Sequence, residues 1–84
     1  MNDRRPTLMW EAAAAPERLD DLVAWVRAVA LPELGSDDAR LFRSNDDRVV
    51  VIASVDGEDR PRIAADPGDL VRRPPHQWRF DEIS

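Results

Sequence analysis

The chain has 84 residues, of which 43% are hydrophobic, and a formal net charge of −5 at neutral pH. This length predicts a single domain, and the hydrophobic fraction predicts a globular fold and not a disordered chain. The chain contains no cysteine, which excludes disulfides, thiolate catalysis and cysteine-ligated metals, and its acidic balance disfavours nucleic-acid binding.

The sequence carries no targeting or membrane signal. No segment has the ~18 consecutive apolar residues that a membrane span needs, and Met1 is followed by a polar stretch with no apolar run of signal-peptide length. We therefore expect a cytoplasmic protein without a membrane partner. Residues 1–84 should form one domain, with residues 1–6 as a flexible tail.

The first strand is predicted at residues 7–13. Its side chains alternate between two faces, one with Leu8, Trp10 and Ala12 and the other with Thr7, Met9 and Glu11.

A helix should follow, with Pro16 at its first position, where the missing N–H costs nothing. Apolar residues then recur at spacings of three and four, the pattern of one helical face: Leu19, Leu22, Val23, Val26, Val29 and Ala30. Trp25 lies at the edge of this stripe and should be partly exposed. Pro32 is expected to break or kink the helix, and Gly35 to end it.

Residues 39–44 and 48–55 predict two strands joined by the turn residues 45–47. The second strand is apolar on both of its faces, which carry Val49, Val51, Ala53 and Val55 on one side and Val50 and Ile52 on the other. A strand of this kind has cover on both sides. Since so short a chain has few helices to supply it, we expect a homodimer in which a second copy covers one face.

The last third of the chain gives weaker patterns. Residues 56–59 predict a turn, and residues 60–65 are ambiguous because Pro61 argues against a central strand. The Asp-Pro pair that opens residues 66–73 predicts a short helix. Residues 76–83 predict a closing strand.

The element order is therefore strand, helix, strand, strand, short helix, strand. This is the split βαβ, ferredoxin-like pattern, an α+β fold with an antiparallel sheet. Right-handed crossovers would leave both helices on one face of the sheet. The other face would then be covered by a second subunit, giving a dimeric α+β barrel.

The chain resembles the dimeric α/β-barrel superfamily, specifically the small antibiotic-biosynthesis-monooxygenase-like proteins. The residues that carry the resemblance are 8–12 in the first strand, 16–22 and 25–27 in the helix, 47–53 in the third strand and 75–80 in the last. The resemblance implies two sheets paired into a barrel and a ligand cleft between sheet and helices. It also implies a choice of activities, among them cofactor-independent oxygenation of aromatic polyketides, haem degradation and isomerisation.

No catalytic residue is carried over from this family. Haem-degrading members use an Asn, a Trp and a His, but the only asparagines here are Asn2 and Asn45, in a tail and a turn. Quinone-forming members rely on Asn, Trp, Tyr or Arg, and this chain has no tyrosine. The resemblance thus implies a fold and leaves the chemistry open.

His76 is the only histidine and the only side chain whose ordinary pKa lies near neutrality. It is a candidate general base at the start of the last strand, or else a residue that caps that strand beside two prolines. No HxxE or HxH spacing surrounds it, so we expect no metal site. No cofactor is expected.

Trp10, Trp78 and Arg79 are the candidate ligand-binding residues. The two tryptophans would form a flat wall for a small aromatic ligand, or would anchor the core or a dimer interface. Arg79 would bind a carboxylate or phenolate, or would form a cross-strand ion pair with Glu11.

The sequence favours a homodimeric α+β barrel that serves as a binding or structural module, because its polar candidates are few and scattered. The alternative is a cofactor-independent monooxygenase or isomerase that acts on a small aromatic or polyketide-like substrate. Whether His76, Trp10 and Trp78 line one cavity distinguishes the two.

Overall fold

Four strands form an antiparallel sheet, and one long helix covers one of its faces, in a computed structural model that describes residues 5–55 and 62–83. The strands are β1 (Arg5–Ala13), β2 (Arg40–Arg43), β3 (Arg48–Ser54) and β4 (His76–Glu82). Helix α1 consists of three consecutive segments, Leu19–Trp25, Val26–Ala30 and Leu31–Leu34. The predicted α+β class and antiparallel sheet are confirmed. Because β1 begins at Arg5, residues 5 and 6 belong to a strand and not to the expected tail, whose remainder lies outside the described residues.

The strand order is β2-β3-β1-β4, so β1 and β3 are central and β2 and β4 are edges. Leu8 pairs with Ala53, Trp10 with Val51. Side chains at paired positions of a sheet lie on the same face. These residues, with Ala12 and Val49, therefore form one face of the sheet, which we call the helix face.

The core lies between the helix face and α1. The helix contributes its buried stripe of Leu22, Val26, Ala30 and Leu34, and the sheet contributes Leu8, Trp10, Val49 and Val51. Each large apolar side chain buried in this way stabilises the fold by about 1.5–3 kcal/mol. The helical spacing read from the sequence thus identified the buried face of α1, except at Val29, which is 37% exposed.

Helix α1 begins after Pro16, which was expected at its first position, and continues past Pro32, which was expected to break or kink it. Pro16 lies in a turn before the helix and not at its first position. Pro32 neither breaks nor ends the helix, because residues 26–30 widen into a π-helix in which the Leu31 N–H donates to the carbonyl of Val26. That wider turn accommodates a residue that has no N–H to donate. Gly35 ends the helix with φ of 67°, a left-handed conformation that glycine adopts easily.

The predicted hairpin between β2 and β3 is confirmed, with residues 44–47 as its turn. The second helix is much shorter than predicted, a single 3₁₀ turn at Gly68–Leu70, because Val71 is extended and forms an antiparallel bridge with Ala14. Residues 62–65 form no strand. The turn predicted at residues 56–59 lies outside the described residues.

No helix within residues 5–55 and 62–83 is long and apolar enough to cross a lipid bilayer. Helix α1 carries charged residues on its outer side and packs its apolar side against the sheet.

Candidate functional site

The side of the sheet away from α1 is not covered by any helix of the described chain, and we call it the open face. It carries Met9, Glu11, Phe42, Val50, Ile52, His76, Trp78 and Phe80, which the strand pairing places on one side. Three of its aromatic side chains are well exposed: Phe42 at 39%, Trp78 at 45% and Phe80 at 52%. Large aromatic side chains thus remain exposed on this face of the single chain.

Glu11 is the one buried charged residue in the described part of the chain, at 7% exposure. Nη2 of Arg73 lies 3.3 and 3.1 Å from its two carboxylate oxygens, and Nε of Arg48 lies 3.7 Å from one of them. Two guanidinium groups thus neutralise the carboxylate at one end of the open face. The arrangement binds the β3 start and the residues before β4 to the centre of the sheet.

The predicted ion pair between Glu11 and Arg79 is wrong. Arg79 pairs with Leu8 along the strands, which places it on the helix face, whereas Glu11 pairs with His76 on the open face. The two side chains therefore project from opposite sides of the sheet. Arg79 is exposed and makes no ion pair with the other described residues.

His76 lies on the open face at the start of β4 and is exposed. Its ring stacks on Trp78, with ring centroids 5.8 Å apart and planes inclined by 15°. The two residues are two positions apart on one strand, so they share a face. They give the open face a flat, partly polar end next to the Glu11 carboxylate.

Trp10 lies on the opposite side of the sheet from both of these residues. It is 1% exposed and its ring lies 6.2 Å from that of Trp25, which is half-buried. Trp10 and Trp78 are on neighbouring strands, as a flat wall requires, but they face in opposite directions. The structure therefore does not bring His76, Trp10 and Trp78 into one cavity.

A cavity of about 490 Å³ lies on the helix-face side, between residues 62–75 and the paired residues Trp10 and Gln77. We call it the loop cavity. Its lining includes the apolar side chains of Ile63 and Val71 together with arginine side chains. It opens to solvent, and its volume falls in the range of about 300–1,000 Å³ that small-molecule sites occupy.

Two side chains hold the wall of the loop cavity in place. The Gln77 amide accepts from the Ile63 N–H at 3.0 Å and donates to the Ile63 carbonyl at 2.9 Å. The Glu33 carboxylate of α1 accepts from the N–H groups of Ala64 and Ala65 at 3.0 and 3.1 Å. Because these bonds replace the partners that a strand or helix would supply, a segment without regular structure is fixed against the sheet and the helix.

The sequence interpretation missed Glu33, Gln77 and the cavity they support. The position of Gln77 could have been predicted, because the alternation of side chains along a strand places it on the opposite face from Trp78, toward the helix side of the sheet. Glu33 gave no signal, because its partners are about thirty residues away along the chain.

Asp38 fixes the end of β3 to the residues after α1. It accepts from the Ser54 N–H at 2.9 Å and from the Ser36 hydroxyl at 2.7 Å. Hydrogen bonds from Ser54 and Ser36 lower the pKa of Asp38 from 3.8 to about 2. A bond from the Ser44 hydroxyl likewise lowers the pKa of Asp46 in the β2–β3 turn. Both acids have structural roles at turns.

No group of three or more potential ligands among residues 5–55 and 62–83 has the geometry to hold a metal ion. Comparisons with protein-family models, with curated proteins and with solved structures gave no match. The resemblance to the antibiotic-biosynthesis-monooxygenase-like proteins thus stays a prediction.

Proposed function

We propose that the chain functions as a homodimeric binding or structural module whose subunits associate through their open faces. The observation that carries the proposal is the exposure of Phe42, Trp78 and Phe80 on one side of a sheet whose other side packs against α1. In this proposal the two sheets face one another and the α1 helices lie outside. A cytoplasmic location is part of the same proposal and rests on the sequence alone.

The exposed aromatic surface is large enough to support association. An aromatic side chain carries about 150–250 Å² of surface, so the exposed fractions of the three rings amount to about 200–340 Å² per subunit. At about 25 cal/mol per Å², burying this surface is favourable by about 5–8 kcal/mol per subunit. The free energy of burial summed over two subunits is comparable with the cost of association, which is about 4–15 kcal/mol.

A second copy suits this face better than an unrelated charged partner does. A two-fold dimer requires a surface that is complementary to itself, and an apolar centre meets this requirement in any orientation. The buried charge of Glu11 is already neutralised by Arg73 and Arg48 within the subunit. Arg40 of the same face lies on the edge strand β2, with its guanidinium carbon 5.1 Å from the centroid of the Phe42 ring, so its charge is at the edge of the face and not at its apolar centre.

The strand order supports the finer fold proposal. In a ferredoxin-like fold the first and third strands are central and the second and fourth are edges, as they are in β2-β3-β1-β4. The second helix is reduced to the turn at Gly68–Leu70, so this chain departs from the full pattern. A dimeric α+β barrel would follow from pairing two such sheets through their open faces.

The alternative of a cofactor-independent monooxygenase or isomerase gains no support from the geometry. Its candidate base, His76, lies on the open face with Trp78, whereas Trp10 lies in the core beneath α1. Pairing the open faces would also cover His76. His76, the residue predicted for catalysis, therefore acts, in this proposal, as an interface residue.

The oligomeric state tests the proposal. Sedimentation at micromolar concentration should give twice the 9.5 kDa mass of the chain. Phe80→Glu should give a folded monomer, because a charge buried without a partner is costly, while Val29→Glu on the outer side of α1 should stay dimeric. A monomeric wild-type protein, or a dimer unaffected by Phe80→Glu, would refute association through the open face.

A further inference from the structure

We propose that the protonation of His76 controls association through the open faces, so that the dimer forms when this imidazole is neutral and separates at mildly acidic pH. The inference rests on the proposed homodimer and adds a regulation to the same interface. A dimer that does not respond to pH would refute the regulation and leave the homodimer standing.

His76 lies in the part of the open face that the proposed dimer covers. Its ring stacks on that of Trp78, with centroids 5.8 Å apart and planes inclined by 15°. Trp78 is one of the exposed aromatic residues whose burial drives association. The pairing of β4 with the central strand β1 places His76 beside Glu11 and Trp78 beside Met9. A subunit that packs on Trp78 therefore also packs against the imidazole stacked on it.

The imidazole has no counter-ion among the described residues. The carboxylate nearest to it along the sheet is that of Glu11, but Nη2 of Arg73 lies 3.3 and 3.1 Å from its two oxygens and Nε of Arg48 lies 3.7 Å from one of them. His76 itself forms no hydrogen bond or ion pair within residues 5–55 and 62–83. A proton on the ring would thus add a charge that no neighbouring carboxylate is free to balance.

The described charged side chains around His76 on the open face carry no net negative charge. They are Glu11 on β1, Asp46 in the β2–β3 turn, Arg48 at the start of β3, Arg73 before β4 and Arg40 on the edge strand β2. The two carboxylates are matched by Arg48 and Arg73, since Arg48 also lies 3.0 Å from Asp46, and Arg40 adds a positive charge at the far edge. Protonated His76 would therefore meet like charges and not opposite ones.

Burial disfavours the charged form of an imidazole, because the protonated ring loses its hydration without gaining a partner. A dimer that holds His76 neutral must release a proton from each subunit wherever the free subunit is protonated. Below about pH 6.5, where an imidazole ordinarily binds a proton, the monomer then holds more protons than the dimer. Acid therefore favours the monomer, while association does not depend on this group at higher pH.

The overall charge of the chain predicts the opposite trend. The net charge is −5 at neutral pH and the isoelectric point is about 4.7, so two subunits repel one another less as the pH falls. Screening over about 8 Å at physiological ionic strength keeps this general effect small. A dimer that weakens in acid thus points to a specific buried group, and His76 is the only histidine of the chain.

Sedimentation velocity over a concentration series, at about pH 8 and about pH 5.5 in about 0.15 M salt, tests the proposal. Two imidazoles that titrate near 6.5 in the monomer and stay neutral in the dimer raise the dissociation constant about a hundredfold over this interval. We expect a rise of at least about tenfold. Circular dichroism at both pH values shows that the subunit stays folded.

Two substitutions at position 76 separate the charge of the ring from its packing. His76→Gln is neutral at every pH and should dimerise in acid within about threefold of its affinity at about pH 8. His76→Arg is charged at every pH and still able to stack on Trp78, and it should associate at about pH 8 at least as weakly as the wild type does in acid. Arg79→Gln changes a charge on the helix face of the same strand and should keep the pH dependence of the wild type.

The outcomes distinguish the two proposals. A wild-type protein that is monomeric at about pH 8 would refute the homodimer and its regulation together. A dimer whose dissociation constant rises less than about tenfold in acid would refute the regulation alone. The regulation would also fail if His76→Gln kept the pH dependence, or if His76→Gln and His76→Arg weakened the dimer equally at about pH 8, since the ring would then contribute packing and not a titratable charge.

Discussion

Replacing Trp78 with alanine tests the contribution of the open face to association. The side chain is 45% exposed in the single subunit, which for a surface of about 250 Å² corresponds to about 110 Å² of apolar area. Burial of that area is favourable by about 3 kcal/mol at about 25 cal/mol per Å². Each symmetric dimer contains the residue twice, so Trp78→Ala should weaken association by about 5–6 kcal/mol at most.

We therefore expect the dissociation constant to rise by three to four orders of magnitude, roughly one order for each 1.4 kcal/mol. The assay is sedimentation velocity over a concentration series, with circular dichroism at the lowest concentration to show that the fold is retained. Val29→Ala, an exposed apolar residue on α1, is the control and should leave the constant unchanged. A Trp78→Ala protein that dimerises as tightly as the wild type would refute the assignment of the interface.

The remaining predictions concern the core, the cavity wall and a turn. Leu22→Ala should lower the free energy of unfolding by about 2–5 kcal/mol in urea titrations, because it leaves a cavity in a fully buried site. Gln77→Ala should lower it by about 1–3 kcal/mol through the loss of two hydrogen bonds, and the Ile63 amide should exchange faster with deuterium. The folded state lowers the pKa of Asp38, so the ionised carboxylate stabilises the fold. Asp38→Ala should therefore destabilise the protein by a constant amount above about pH 4, and this loss should shrink as the pH falls toward 2.

Each of these variants has a matched control. Val23→Ala, on the half-buried side of α1, should cost less than Leu22→Ala. Arg79→Ala on β4 should leave exchange at Ile63 unchanged, because the Arg79 side chain forms no hydrogen bond with residues 62–65. Asp37→Ala removes an exposed carboxylate that has no side-chain hydrogen bond among the described residues, and it should cost less stability than Asp38→Ala at neutral pH. Equal costs at positions 22 and 23, unchanged exchange in Gln77→Ala or a pH-independent effect of Asp38→Ala would contradict the corresponding account.

The sequence pattern correctly predicted those elements whose stabilising contacts join residues that are close together in the chain. The stripe from Leu22 to Ala30 identified the buried side of α1, and turn residues identified the β2–β3 hairpin, because both depend on neighbours within a few positions. Pro32 was misread because the rule for proline assumes a regular α-helix, and the π-helical segment at Val26–Ala30 removes the conflict.

Contacts between segments that are far apart in the chain could not be predicted from the sequence. No pattern in the sequence aligns β1 with β4, and it is this alignment that places Arg79 beside Leu8 and Glu11 beside His76. A change of register by one residue exchanges the two faces of a strand, so the predicted pairing of Glu11 with Arg79 failed. The loop cavity depends in the same way on Glu33, which holds a segment about thirty residues further along the chain.

The most direct test of the central claim is an isotope-filtered nuclear Overhauser experiment on dimers assembled from labelled and unlabelled chains. Only contacts between subunits give signals in this experiment. If the open faces form the interface, signals should connect Trp78 and Phe80 of one protomer with Ile52, Phe42 or the same aromatic residues of its partner. Signals confined to α1 or to the backbone of the edge strands, or none at a concentration at which the protein sediments as a dimer, would contradict the account.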